Sequence, residues 1–285
     1  MSARLGREGF DVSPEREQPE PAAGEKLLLE RVRQGDLAAM DELLSRHERD
    51  VYRFGLRMCG SEDAAKEVLQ QTLLAAFRNI RQYRGDAKLS TWLYQIARSF
   101  CSKWHRGTLP ANTSLDSLEA LAVPAAQPTP EDSARAREVG AALTAAIQAL
   151  PPAQREVLVL RDIEGLSAEE AAEVLGIEVA NLKSRLHRGR AELRKQLVAV
   201  LDPSVAPCRE LAHDLSDLVS EEVDQAACAR IEEHLATCSQ CATACDALNR
   251  TVSLCRSIPG DDVPPTVRAA VRNALQNSRP RFGVG

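Results

Sequence analysis

Residues 167–195 constrain the fold more tightly than any other stretch. Ser167-Ala168-Glu169-Glu170 is a capping-box pattern, in which a Ser hydroxyl and a Glu three residues on satisfy the free N–H groups at a helix start. Ala171, Ala172, Val174 and Leu175 then form a short helix, Gly176-Ile177 a tight turn, and residues 179–197 a longer basic helix. This is helix-turn-helix spacing. Small Ala172 permits close helix approach and Gly176 supplies the turn. Ile177, Leu182 and Leu186 are expected to face inward, while Lys183, Arg185, His187, Arg188 and Arg190 project outward. Between residues 179 and 195 there are six Lys or Arg against the single Glu192, a charge bias suited to a duplex major groove.

The rest of the chain points the same way. Ala and Leu are abundant and only ten of the 285 residues are aromatic, which favours an all-α protein over a β-sandwich. A chain of this length spans more than one domain at roughly 100–200 residues each. Residues 1–24 read as a disordered leader, 25–106 as a helical bundle, and 107–132 as a Pro-rich linker. Residues 133–201 carry the helix-turn-helix, 205–258 a Cys-rich helical module, and 259–285 a tail with a short helix. In the bundle Ser90 is expected to cap a helix running to about His105. In the second domain Val157, Leu158, Leu160 and Ile163 continue an apolar face. Val267, Ala270, Val271, Ala274 and Leu275 line one face of the last helix, either a packing element or an arm reaching another domain. No apolar run reaches the roughly 20 residues a membrane helix needs and the polar start lacks a signal-peptide core, so a cytoplasmic protein without a membrane partner is expected.

Net charge is −5, but it is unevenly spread. Residues 78–106 hold seven Lys or Arg against Asp86 alone, whereas residues 208–262 hold four basic and eleven acidic side chains. An acidic module of this kind is able to compete for the two cationic surfaces. The first basic patch interleaves Arg84, Lys88, Arg98, Lys103 and Arg106 with five of the ten aromatics. A melted nucleic-acid strand calls for stacking platforms in a cationic groove. Tyr83 and Trp104 are the better candidates for that contact, with Trp92 and Phe100 assigned to the core.

Six of the eight cysteines fall between Cys208 and Cys255. His234 and Cys238 are one helical turn apart in an H-x3-C-x2-C run, and Cys241 returns to the same side a turn later. With Cys208 as fourth ligand the set is a Cys3His site of the kind zinc prefers. Copper or another soft metal also suits thiolates, and Cys245, four residues past Cys241, stands where it could add a sulfur. Cys228, Cys245 and Cys255 otherwise read as small buried residues.

The motifs resemble the extracytoplasmic-function (ECF) group of bacterial RNA polymerase sigma factors over about 175 of the 285 residues. The likeness rests on Gly35-Asp36, on Gln70 within AAKEVLQQTLLAAF, on Tyr83-Arg84-Gly85 and on STWLYQIAR. In the second half it rests on LPPAQREVLVLRDIEGLSAEEAAEVLGI followed by NLKSRLHRGRAELR. Lys66, Glu67, Gln71, Ser99, Ala171 and Asn181 depart from the common pattern. The resemblance implies a non-enzymatic initiation factor with two helical domains, region 2 and region 4. Region 2 would read a promoter −10 element near Tyr83 and region 4 a −35 element. Glu67, Gln70 and Gln71 would dock on the clamp helices of the polymerase largest subunit. The Cys-rich part is similar to the zinc-binding anti-sigma fold. Its fusion to a sigma factor resembles the CorE-like metal-responsive group, which implies a tail acting on the sigma domains of its own chain in response to metal or redox state; the alternatives are a purely structural zinc module and a helix-turn-helix DNA-binding regulator that works without polymerase.

Overall fold

The computed structural model describes residues 23–107, 130–197, 206–257 and 262–277. Every regular element among them is helical, the all-α class expected. Most of the expected leader (1–22) and linker (108–129) lies outside the described residues, as does 198–205. The chain divides into two compact units, Met1–Leu44 and Ser45–Gly285. The first contains α1 (Ala23–Arg33) and nearly all of α2 (Leu37–Ser45). Between them Gly35 takes a left-handed φ of 90°, and Asp36 Oδ1 accepts the Ala38 and Ala39 N–H groups at 2.9 and 3.1 Å. The Ala39 N–H and the Arg31 guanidinium hold the Asp36 carboxyl below its ordinary range.

In the second unit α3 (Glu48–Cys59), α4 (Glu62–Asn79), a 3-10 turn (Ile80–Gln82) and α5 (Leu89–His105) pack together. Val51, Phe54, Val68, Leu69, Leu73, Leu93 and Ala97 are buried. Helices α3 and α4 approach closely because Gly55 faces Ala65: a Cβ at 55 would stand 3.1 Å from the Ala65 Cα. Ser61 accepts the Ala64 N–H at 3.2 Å and caps α4. Ser90 caps nothing; α5 starts one residue earlier, with Lys88 in the extended N-cap conformation.

Next come α6 (Pro130–Ala149), α7 (Pro152–Leu158), α8 (Ala168–Leu175) and α9 (Val179–Gln196). The expected capping box is present, with Glu170 N–H to Ser167 Oγ at 3.1 Å and Ser167 N–H to Glu170 Oε2 at 2.9 Å. Gly176 ends α8 at φ 66°. A π turn, Val159–Ile163, extends α7. Its extra residue per turn shifts the inward face. Asp162 is buried there, while Ile163, expected in the apolar face, is half-buried.

The tail folds as α10 (Ala212–Val219), α11 (Gln225–Thr237) and α12 (Ser239–Ser257) around Leu215, Val219, Ile231, Cys245, Leu248 and Val252. Helices α10 and α12 also pack on α9, and α12 on the π turn. Last, α13 (Pro265–Asn277) packs on α4, with Arg268 Nε 3.1 Å from Glu48 Oε2 and Val267, Val271 and Leu275 buried. The amphipathic final helix thus reaches across to another domain and packs on the first bundle. Among the described residues no helix is long and apolar enough to cross a membrane.

Candidate functional site

Helix α9 exposes less of its basic face than the sequence pattern implies. Arg188 is exposed and Arg185 half-buried, its Nε donating to Asn181 Oδ1 at 2.9 Å. Lys183 Nζ stands 3.3 Å from both Asp217 and Glu222 of the tail. Burial works against that ammonium, and the two carboxylates more than restore it, raising the Lys183 pKa. The His187 ring lies 4.3 Å from the His213 ring of α10.

Arg190, expected on the outward face, is the clearest correction: it is 2% exposed. Its Nε donates to Asp162 Oδ2 at 2.9 Å, Nη1 to Ser216 O and Oγ at 2.7 and 2.9 Å, and Nη2 to Ser220 Oγ at 3.0 Å. The signal was present in the sequence, because Arg190 follows Leu182 and Leu186 at four-residue steps and therefore belongs to the inward stripe.

In the first bundle Arg84 and Arg106 are exposed, and Lys103 and Trp104 are half-buried, with Lys103 Nζ 4.8 Å from the Phe100 ring centre. Tyr83 is buried rather than displayed. Its hydroxyl donates to Ala87 O and its ring lies 5.4 Å from Trp92. Trp92 and Phe100, assigned to the core, are half-buried instead. Lys88 pairs with Glu170 at 2.7 Å, and Arg98 makes two hydrogen bonds to Glu156 at 3.0 and 3.2 Å. A third link has Arg53 Nε and Tyr94 Oη donating to Glu164 at 3.0 and 2.9 Å. Burial pushes the Glu164 carboxyl up, and the Arg53 hydrogen bonds pull it back. Two residues expected to contact a nucleic-acid strand, Lys88 and Arg98, are thereby paired with carboxylates of the helix-turn-helix half. Glu67, Gln70 and Gln71 share the half-exposed side of α4, where Gln71 donates to Glu67 at 2.8 Å.

The fold brings Cys208, His234, Cys238 and Cys241 together, their donor atoms all within 4.8 Å of one another. Cys208 precedes α10, His234 closes α11, Cys238 sits at the α11–α12 junction, and Cys241 lies in the first turn of α12. Cys208 N–H donates to Cys241 Sγ at 3.2 Å, and the Cys208 and Cys238 sulfurs are 4.0 Å apart. A tetrahedral zinc with thiolates at about 2.3 Å would space its sulfurs about 3.8 Å apart. His234 Nε2 is shielded from solvent and has no hydrogen-bond partner. The Cys241 N–H lowers the Cys238 thiol to about 7, whereas contact with the Cys241 and Cys238 sulfurs raises Cys208 to about 11. Donor chemistry and spacing fit a four-coordinate structural ion. Cys245 is not in this group; it packs in the tail core, and Cys255 is buried.

Residues 43–108 match the sigma-70 region 2 family and residues 140–193 the sigma-70 region 4 family. The ECF RNA polymerase sigma factor SigW of Bacillus subtilis is 32% identical over 179 residues, covering 60% of this chain and 96% of that protein. The chain belongs to the ECF sigma factor family. SigE of Mycolicibacterium smegmatis, also an ECF RNA polymerase sigma factor, is 36% identical over 168 residues, 57% of this chain and 64% of that protein. A solved structure of CnrH in complex with the cytosolic domain of CnrY is 24% identical and covers 62% of this chain and 98% of that one, at a TM-score of 0.47. In this ECF sigma factor the helix-turn-helix is region 4, and region 4 ends before the Cys/His tail begins.

Proposed function

We propose that this ECF sigma factor directs core polymerase to promoters in the cytoplasm, and that its C-terminal module restrains it in cis. Exposed Arg188 and half-buried Arg185 of α9 would meet the −35 duplex, together with Lys183 once that side chain is released. Arg84, Lys103, Trp104 and Arg106 of region 2 would hold the melted −10 strand, joined by Lys88 and Arg98 once their pairings with Glu170 and Glu156 open. Helix α4, with Glu67, Gln70 and Gln71, would take the polymerase clamp helices. The observation that carries the restraint is the seating of α10 on the recognition helix: Asp217 and Glu222 neutralise Lys183, and Ser216 and Ser220 bind Arg190. The packing of α13 on α4 supports it further, since α4 is the helix assigned to the polymerase. Cys208, His234, Cys238 and Cys241 would hold zinc, which would supply a structural crosslink to the small tail. Copper(I) is a second fit for the three thiolates. The arrangement agrees with the CorE-like group that the sequence resembles.

Neutralising the restraint tests it. The double variant Asp217→Asn, Glu222→Gln is expected to bind a promoter duplex roughly fivefold more tightly, about 1 kcal/mol, at fixed salt. Asp214→Asn with Glu221→Gln, which removes two exposed carboxylates from the same stretch, provides the control for charge alone. Fluorescence anisotropy on labelled duplex reads both, and equal affinities for the Asp217→Asn, Glu222→Gln chain and its control would remove these two carboxylates from the mechanism.

The α9–α10 contact is also expected to weaken in acid. Burial, then His213, Arg190 and Arg194, lower the His187 pKa, while Asp217 opposes them. Undocked, His187 returns to an ordinary value near 6.5, so the docked form binds fewer protons. Docking is therefore strongest above about pH 6.5, weakens as pH falls through that value, and levels off below the docked pKa. Hydrogen-exchange protection of α10, corrected for intrinsic rate, should fall between about pH 7.5 and about pH 5.5. His187→Gln should flatten that dependence, and an unchanged slope would assign it to another group.

A further inference from the structure

Two cysteines of region 2 belong to neither the DNA-reading surface nor the metal centre. Cys59 ends α3 and Cys101 lies inside α5, 42 residues on, yet their reduced sulfurs stand 2.9 Å apart. The packing of α3 on α5 turns the thiols toward each other. A disulfide has its sulfurs about 2.05 Å apart, so closing the bond needs a movement of about 0.9 Å. The two positions differ in access: Cys101 is 1% exposed, whereas Cys59 is partly open to solvent. Arg155 Nη1 donates to the carbonyl of the neighbouring Met58 at 3.1 Å, which sets a guanidinium on the Cys59 side of the pair. Contact with Cys59 and burial push the Cys101 thiol well above its usual range, so it keeps its proton. An accessible attacking thiol beside a buried resolving thiol is the layout of a reversible oxidation site.

We propose that Cys59 and Cys101 form a peroxide-oxidisable pair, with a hydroperoxide as substrate and an intramolecular disulfide as product. The Cys59 sulfur attacks a peroxide oxygen: an S–O bond forms, the O–O bond breaks, and the departing oxygen leaves as water after taking up a proton. The Cys101 sulfur then attacks the Cys59 sulfenic acid: the S–S bond forms, the S–O bond breaks, and a second water leaves with the Cys101 proton. Two thiols lose two electrons, and one hydrogen peroxide becomes two waters. The site lies where region 4 grips region 2. Gln148 Nε2 donates to Arg57 O at 2.6 Å and Arg155 Nη1 to Met58 O at 3.1 Å, while His105 Nε2 meets the same Met58 oxygen at 3.1 Å. The disulfide ties α5, which carries Arg98, Lys103 and Trp104, to that end of α3.

The test treats the full chain with stoichiometric hydrogen peroxide, alkylates the remaining thiols and digests with trypsin. Cleavage after Arg57, Lys66, Arg98 and Lys103 separates residues 58–66 from residues 99–103, and the expected product is these two peptides linked through Cys59 and Cys101. In Cys101→Ala, dimedone should instead label Cys59 as a sulfenic acid. The wild-type readout requires no variant to fold. Recovery of both wild-type peptides as singly alkylated thiols, or of Cys59 joined to a tail cysteine, overturns the proposal. Absence of the dimedone label from Cys59 in Cys101→Ala overturns the assignment of Cys59 as the attacking thiol.

Discussion

Arg190→Ala is expected to cost about 3–5 kcal/mol of stability, because it removes one partner of a buried ion pair and leaves the other charge unmatched. Both Arg190 and Asp162 have side chains 2% exposed. Asp162→Ala should cost a similar amount, since the guanidinium would keep only the Ser216 carbonyl and the Ser216 and Ser220 hydroxyls. Replacing both, as Arg190→Met with Asp162→Leu, should lose much less than the sum, because apolar side chains of similar size need no desolvated partner. Urea denaturation midpoints read all three. Single variants within about 0.5 kcal/mol of the parent, the range of ordinary surface changes, would show that the pair does not hold the π turn to α9.

Cys238→Ser is expected to reduce bound zinc from about one ion per chain to none and to loosen the tail. Zinc held by such a donor set has apparent binding free energies of about 10–16 kcal/mol in small peptides, and that energy goes into folding. The tail has few other resources: its core comprises six buried side chains, two of them valines and one a cysteine. Cys59→Ser should leave the zinc in place, because Cys59 belongs to region 2. Elemental analysis with metal-edge absorption decides the matter. Full stoichiometry and an unchanged edge in Cys238→Ser would mean that His234, Cys238 and Cys241 converge for packing reasons alone.

What was legible in the sequence was local. The Ser167 capping box, the Gly176 turn and the H-x3-C-x2-C spacing follow from geometry within a few residues, and each appears in the structure where the pattern put it. The hidden features are long-range pairings. Lys88 with Glu170 and Arg98 with Glu156 look like ordinary surface charges until the fold brings them together. Asp162 sits in an apolar run whose register the π turn shifts, so helical periodicity put Ile163 in its place. Tyr83 and Trp92 are close in sequence and both aromatic, and only the loop conformation, with the Tyr83 hydroxyl on Ala87 O, decides which one is buried. Cys59 and Cys101 carry no spacing signal at all.

Run-off transcription with purified core polymerase, comparing the full chain with one ending at residue 201, is the decisive measurement. Both forms should start transcripts at the same promoters, with the shortened chain giving the higher yield because α10 no longer covers Lys183 and α13 no longer covers α4. Transcripts from neither form would contradict the assignment as an initiation factor. Equal yields from both, with zinc bound and after chelation alike, would contradict restraint by the tail.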